Sequence, residues 1–354
     1  MIEERDLDAA VTAGILDAAT RERLVVFARA HRQGAAGPDE EQFRLLTGFN
    51  DIFVTIAIGL LLFAVGALGS AVTPMLGAVG VAAAAWGLAE YFTWQRRMAL
   101  PSIVLLLAFV SAVFDATLVL TGSMSHASLT AIADAGSASI HSTNGPPFGL
   151  VGAAAMAAVA AVLHWRRFQV PITVAAGAGA LAGMATAAVA ALTGSGDLIL
   201  LTLFACGITV FALAMWFDTR DRARVTRRTD VAFWLHLLAA PLIVHPVFKL
   251  AGLLQPDVGA GAAVTVIAVY ALLTLVALAI DRRALLVSAL VYVIYAIQAL
   301  VTAGNGGIAA SFGVTALAIG LFLVLLSAAW RPIRARVLAL LPNTLSARLP
   351  VAAV

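Results

Sequence analysis

The sequence predicts an all-α, polytopic transmembrane helix bundle of about ten spans with both termini in the cytoplasm. Hydrophobic residues make up 62% of the 354-residue chain and charged residues only 12%, about half of the roughly 25% typical of soluble domains. Apolar runs of about 20 residues recur along the chain, which is the length of a helix that crosses a bilayer. The runs are continuous and do not alternate, so they favour helices over a membrane β-barrel.

Ten spans are predicted from hydropathy. They cover approximately residues 51–70, 74–94, 100–121, 148–164, 170–192, 198–217, 230–252, 258–280, 284–303 and 308–329. The predicted domains are a cytoplasmic helical hairpin and linker at 1–49, the transmembrane domain at 50–330 with an external loop at 122–147, and a cytoplasmic basic amphipathic tail at 331–354.

The arginine distribution gives the predicted orientation. The chain has 22 Lys and Arg residues, of which Lys249 is the only lysine. Every arginine falls in the N-terminal region, in the tail or in a loop on the same side of the ten-span arrangement. The positive-inside rule then places both termini in the cytoplasm. The net positive charge of the chain is thereby explained by its orientation in the membrane, without binding of nucleic acid. We expect a protein of the bacterial inner membrane.

Two terminal segments are predicted to lie outside the bilayer. Apolar residues recur at helical spacing at Leu7 and Val11 and then at Leu24, Phe27 and Ala28, which indicates two short amphipathic helices. Gly14 is expected to end the first helix, and Asp17 to cap the second. The tail, in which basic and apolar residues alternate, is expected to lie against anionic lipid headgroups, so its removal should leave the bundle folded.

The seventh span carries the strongest candidate for a working centre. Pro241 and Pro246 each remove a backbone hydrogen bond from it, and His236, His245 and Lys249 are costly at membrane depth. Asp115 on span three and Gln298 on span nine lie at a depth similar to that of His245. On span nine, Tyr292, Tyr295, Gln298 and Thr302 recur every three to four residues and form one polar stripe.

These residues predict a polar centre between spans three, seven and nine, formed by Asp115, His245, Lys249 and Gln298, with His236 nearly opposite on span seven. The functional interpretation is an outward-facing vestibule or a proton relay. The alternative is that polar side chains bond helices together while Lys249 extends to the membrane surface.

Other polar residues point to structural roles. Glu90, Asp218 and Asp281 stand close to arginines near cytoplasmic helix ends and are expected to form interfacial ion pairs. His31 and His164 are expected at the surface or the membrane interface. His126, Asp134 and His141 in the external loop are weak candidates for zinc, because their spacing matches no standard site. We therefore expect no metal and no other cofactor.

The N-terminal hairpin, the stretch Phe43-Arg-Leu-Leu-Thr-Gly-Phe-Asn-Asp-Ile-Phe and the segment Trp234-Leu-His236 to His245-Pro246 carry a resemblance. The chain resembles bacterial predicted inner-membrane proteins of unknown function that have a short cytoplasmic helical domain before eight to ten spans. The resemblance implies no substrate, cofactor or catalytic residue. The ten-span layout also matches drug/metabolite exporters at the level of fold alone.

Two functional hypotheses remain open. The polar centre favours a transporter-like permease for a small solute, with proton coupling as an option. The cytoplasmic hairpin favours a non-transporting scaffold or assembly factor that recruits a protein partner. An enzyme is disfavoured, because the sequence contains no Walker, HExxH, GxSxG or CxxC motif. The bilayer itself is the one partner expected in either case, and the oligomeric state is left open.

Overall fold

The computed structural model describes residues 4–34, 49–123, 148–221, 226–250, 260–283, 285–286, 289–290, 292–294, 297, 308–342 and 349. Within these ranges every regular element is a helix. The helices are α1 (Glu4–Thr12), α2 (Ala18–Gly34), α3 (Phe49–Val72), α4 (Pro74–Ala89) with a π-helical end (Glu90–Gln95), α5 (Ala99–Leu120), α6 (Gly149–Phe168), α7 (Ile172–Thr193), α8 (Gly196–Thr219), α9 (Arg227–Leu250), α10 (Ala260–Ile280), α11 (Ile308–Ala328) and α12 (Trp330–Leu340).

Among the described residues, seven helices, α3 to α9, are long and apolar enough to cross a bilayer. The count is eight if α11 and α12, which bend by 73° at their junction, form one span. The apolar stretch Val264–Ile280 of α10 is shorter. The chain is thus an all-α, multi-pass membrane protein. The predicted ninth span falls mostly outside the described residues, so the number ten and the orientation stay predictions.

The helical hairpin α1–α2 agrees with the prediction for the N-terminal region. Gly14 follows α1 with a φ of 72°, a backbone conformation that glycine adopts without strain. The Asp17 carboxylate accepts hydrogen bonds of 2.7 Å from both the backbone N–H and the hydroxyl of Thr20 and so caps α2. Arg21 pairs with Asp8 across the hairpin at 2.9 Å. Among the hairpin side chains that the structure describes, Val25 is buried, whereas the predicted Leu24 is 41% exposed.

Helices α3 and α4 pack closely because glycines face one another. A Cβ added at Gly69 would lie 2.7 Å from the Cα of Gly77, a distance that Cβ atoms essentially never show. Only glycine therefore permits this approach of α3 to α4. The turn between the two helices is capped by Thr73, whose hydroxyl accepts a hydrogen bond from the Leu76 N–H at 3.1 Å.

Helices α8 and α9 also meet at a glycine. A Cβ at Gly207 would lie 2.9 Å from the carbonyl carbon of Leu242. Helix α9 remains one helix through Pro241 and Pro246, and Pro246 is the residue that deprives the Leu242 carbonyl of its helical donor. The bare backbone of α8 thus covers the part of α9 that its prolines weaken.

Helix α12 packs against the protein more than the sequence suggests. Trp330 is 2% exposed and Arg334 1% exposed, and α12 contacts both α10 and α11. The opposite face, with Leu340 at 86% exposure, is open. The expectation that the start of the tail only lies on lipid is therefore corrected, because Trp330 and Arg334 find their polar partner inside the protein.

Large apolar side chains cover the outer faces of the described spans. On α3 and α11, Phe53, Leu60, Phe63 and Leu317 are each at least 65% exposed. Exposed apolar surface of this extent is unfavourable in water and favourable against lipid tails. The polar and charged side chains that are buried therefore lie on the inward faces.

Candidate functional site

A buried carboxylate–histidine pair joins α8 to α9. Asp218 lies in the last turn of α8, and His236 lies in the third turn of α9. The His236 Nε2 and an Asp218 carboxylate oxygen are 3.0 Å apart. Asp218 is 3% exposed and His236 is 0% exposed. Phe211 of α8 meets the imidazole edge-on, with ring centroids 5.3 Å apart, so the pair is enclosed by apolar and aromatic surface.

Arg282 completes the pair to a triad. Its Nε donates to one Asp218 carboxylate oxygen at 3.2 Å, and its terminal nitrogen donates to the other. This two-pronged contact is the strongest geometry available to an arginine and a carboxylate. Arg282 is 1% exposed. It follows Asp281, which ends α10 in a left-handed conformation with a φ of 57°, and this turn places the side chain of Arg282 against α8.

The residues beside Arg282 bind a different element. Asp281 accepts a hydrogen bond of 2.8 Å from the Trp330 indole N–H, and Arg334 lies 3.7 Å from the same oxygen. The Arg283 guanidinium stands 4.8 Å from the Trp330 ring centroid, a cation–π distance. The arginine turn, Asp281 to Arg283, therefore links the Asp218–His236 pair to helix α12.

Further carboxylates lie around the triad. Asp230 at the start of α9 is half-buried and interacts electrostatically with Arg282 and Arg227. Asp221 accepts hydrogen bonds from the Thr226 backbone N–H at 2.9 Å and from the Thr229 hydroxyl at 3.0 Å. Polar groups therefore continue from the triad to the helix end that the arginine distribution predicts to be cytoplasmic.

The arrangement can hold or pass a proton. A histidine is the side chain whose charge changes most readily near neutral pH. The Nε2 of His236 donates to Asp218 both in the protonated ring and in the neutral ring that carries its hydrogen on Nε2. Ionisable residues within spanning helices are functional candidates by default, because their burial is costly. We define the Asp218–His236–Arg282 triad as the candidate site.

Asp115, one of the predicted members of the polar centre, lies in a different place. It is half-buried on α5 and lines a cavity of about 240 Å³ formed by α3, α4 and α5. The lining includes no residue of α9, so neither His245 nor Lys249 contributes to this cavity. The structure thus does not bring Asp115 together with α9 at this cavity.

Near the C-terminal end of α9, His245 Nδ1 and the Tyr292 hydroxyl are 2.9 Å apart. Helix α9 therefore contacts the predicted ninth span at this residue, and the polar centre as a whole stays a prediction. Tyr292 also stacks on Phe248 with centroids 4.6 Å apart. His245 and Lys249 are both exposed, and His236 points to the opposite, buried side. Tyr295 and Gln298 lie outside the described residues, so their place in a polar centre stays a prediction.

The remaining predicted residues divide into three groups. Glu90 forms the expected ion pair with Arg167 at 2.7 Å, on a partly exposed face. His164 is fully buried among Trp86, Phe109 and Phe168, so it is not a surface residue, and its depth relative to the membrane interface stays a prediction. His126, Asp134 and His141 lie outside the described residues. Within the described part of the chain, no three His, Cys, Asp or Glu side chains group as metal ligands.

The sequence pointed to the arginines beside Asp218 and Asp281 but suggested only surface ion pairs. The partners come from distant segments, because Asp218 and Arg282 are 64 positions apart in the chain. The available signal was that Asp218 and the arginine turn each follow directly on a long apolar run. A charged side chain at the end of an apolar run can point into the protein or out to the membrane surface. Here Asp218 and Arg282 both point into the protein.

Comparison of the chain with models of protein families, with curated proteins and with solved structures finds no match. The function is therefore inferred from the geometry of the triad and of the cavity at Asp115. The resemblance noted from the sequence stays a hypothesis.

Proposed function

We propose that the chain is a transporter-like permease for a small solute, coupled to protons through His236 and Asp218. The observation that carries the proposal is the burial of Asp218, His236 and Arg282 on or beside spanning helices, each at 3% exposure or less. Ionisable groups buried in this way in membrane proteins commonly mark ion or proton pathways. A purely structural contact has no need of them, because apolar side chains of similar volume often stabilise a core as well or better.

The proposed location is the bacterial inner membrane, with both termini in the cytoplasm. The distribution of the 21 arginines, which are the 22 Lys and Arg residues less Lys249, supports this orientation. It puts the triad near the cytoplasmic ends of α8, α9 and α10. A proton released from His236 then has a short polar route past Asp230 and Asp221 to the cytoplasm.

Uptake into proteoliposomes tests the permease. The purified protein is reconstituted, and entry of radiolabelled amines, amino acids, carboxylic acids and sugars is measured with and without an imposed pH gradient. We expect one class to enter at least tenfold faster than in protein-free liposomes, with a rate that depends on the gradient. His236→Gln should abolish this dependence. Glu90→Gln, which breaks the exposed pair with Arg167, is the matched control and should retain it.

A scaffold is the second candidate, and a separate observation favours it. The α1–α2 hairpin exposes Ile15 by 78% and Val26 by 61%, and exposed apolar side chains of a soluble hairpin suit a protein partner. Photo-crosslinking in cells from position 26 should then give one discrete product, with position 22 as the polar control. If position 26 gives no product while the uptake assay is positive, the scaffold is rejected.

A further inference from the structure

The cavity at Asp115 contains a carboxylate that the triad does not use. The Asp115 side chain is half-buried in the outer part of α5, five residues before the end of that helix at Leu120. Within the described part of the chain it forms no hydrogen bond or ion pair. An isolated carboxylate at membrane depth is costly unless it is protonated or meets a positive charge.

The wall of the cavity is held in shape by glycines. A Cβ at Gly77 would overlap the Ser70 hydroxyl and would lie 2.9 Å from the carbonyl oxygen of Gly66. The glycines therefore allow α3 to stand close to α4 with the Ser70 hydroxyl at the cavity. Ser111, one helical turn before Asp115, donates its hydroxyl hydrogen to the Leu107 carbonyl. The Ser111 oxygen is thus left as an acceptor on the same side of α5 as the carboxylate.

The cavity is open on one side, and its volume indicates how much of an occupant it could bury. Its volume of about 240 Å³ is below the range of roughly 300–1,000 Å³ that drug-sized ligands occupy. It is many times the roughly 10–15 Å³ that one water needs on the same measure, so a bare alkali cation would leave most of it unfilled. Ala78, Val81, Ala108 and Val119 supply an apolar part of the wall, which suits a short alkyl group.

We propose that this cavity binds a small primary ammonium ion, with its nitrogen on the Asp115 carboxylate and its alkyl group against the alanine and valine side chains. One carboxylate balances one positive charge, and the hydroxyl oxygens accept the remaining N–H groups of the ammonium. The proposal names the solute class of the permease and so rests on that function, but the site is testable without transport. The occupant is an organic cation and not an alkali metal ion.

Calorimetric titration of ethylammonium chloride into the full-length protein in lipid nanodiscs tests the site, with empty nanodiscs subtracted. We expect saturable binding that Asp115→Asn weakens at least tenfold, because a charge-assisted hydrogen bond is lost. Asp197→Asn is the matched control, since Asp197 is exposed at the start of α8 and its change should leave the affinity as it is. Equal affinity of wild type and Asp115→Asn would overturn the site.

A second variant keeps the charge and reduces the space. Ala78→Leu should weaken the binding of n-butylammonium more than that of ethylammonium, because the isobutyl side chain of leucine fills the apolar part of the cavity. Equal weakening of both would overturn the assignment of the alkyl group to that wall. Saturable sodium binding that depends on Asp115, without ammonium binding, would overturn the assignment of an organic cation as the occupant.

The experiments distinguish failure of the ammonium site from failure of the permease. Uptake of another solute class by a protein that binds no ammonium would overturn the ammonium site and would still support the permease. Ammonium binding that depends on Asp115, in a protein that moves no solute, would contradict the permease and support the site.

Discussion

Asp218 is the residue on which the candidate site depends. Its two carboxylate oxygens accept hydrogen bonds from His236 and Arg282, so a negative charge is buried with its positive partner and a proton carrier. Removal of water from a charged pair costs several kcal/mol for each ion, and a good geometry offsets this only while both partners are present. Loss of one partner should therefore be more harmful than loss of both.

A double-substitution cycle measures this coupling. Arg282→Gln should lower the free energy of unfolding by about 3–5 kcal/mol, because it leaves a buried carboxylate without its cation. The double variant Asp218→Asn/Arg282→Gln should be more stable than Arg282→Gln alone. Arg167→Gln, which breaks a partly exposed pair with Glu90, should cost only about 0–1 kcal/mol. Unfolding in mixed detergent micelles gives all the values, and a double variant less stable than Arg282→Gln would contradict the account.

Asp17 gives a prediction about pH. Hydrogen bonds from the Thr20 hydroxyl and backbone N–H hold the pKa of Asp17 below its ordinary value of 3.8. A lowered pKa means that this carboxylate stabilises the folded hairpin above pH 3.8 and loses that effect as the pH falls through its folded pKa. The hydrogen-exchange protection factors at the start of α2, which are corrected for the intrinsic slowing of exchange in acid, should therefore fall at acid pH in the wild type. Asp17→Asn should keep the cap and show no such step.

The arginine turn acts on whole elements. Asp281 contacts α12, Arg282 contacts α8, and Arg283 stands over the Trp330 ring. The end of α10 therefore joins helices that are far apart in the sequence. The left-handed φ of 57° at Asp281 turns the chain so that Arg282 reaches α8 while Asp281 reaches α12. Movement of α12 is thereby linked through this turn to the Asp218–His236 pair.

Substitution on the two faces of α12 tests its packing. Trp330→Ala should lower the free energy of unfolding by about 3–5 kcal/mol, the range for a large aromatic side chain removed from a core. It also removes the hydrogen bond to Asp281. Leu340→Ala, on the face that is 86% exposed, should change stability by less than about 0.5 kcal/mol. Thermal unfolding in detergent distinguishes the two, and equal effects would show that α12 lies on lipid with either face.

The helices α3 to α9 could be predicted from the sequence, because an apolar run of about 20 residues has one stable form in a bilayer. The packing of α12 could not. In the sequence, Trp330 and the arginines after it are equally compatible with a helix packed inside the protein and with a helix on the membrane surface, where tryptophan and arginine are common. The packed position depends on the hydrogen bond from Trp330 to the Asp281 carboxylate, and Asp281 lies 49 positions earlier in the chain.

At the scale of the whole molecule, matching depths alone do not say which helices are neighbours. Asp115 and His245 were predicted to meet because both lie in the outer half of spans running in the same direction. Depth follows from the rise per residue, whereas adjacency depends on which faces pack. The small residues of α3, α4 and α5 close those helices around Asp115, and the meeting of His245 with Tyr292 is the part of the predicted centre that the described residues contain.

The predicted orientation is tested by cysteine labelling in intact cells. The native Cys206 is first replaced by alanine, and single cysteines are placed at Arg97, Arg283 and Ser137. An impermeant maleimide should label position 137 from outside and leave positions 97 and 283 unlabelled until the membrane is opened. Labelling of position 97 from outside would falsify the orientation.

The measurement that tests the central claim most directly is proton movement driven by solute alone. Proteoliposomes with equal pH on both sides and a pH-sensitive dye inside receive a solute from the class that the uptake assay identifies, and the pH change that the same solute causes in protein-free liposomes is subtracted. The wild type should change the internal pH as the solute enters, and His236→Gln, folded by the unfolding assay above, should carry the solute without that change. Equal pH changes in both proteins, or none in either, would contradict proton coupling through the Asp218–His236 pair.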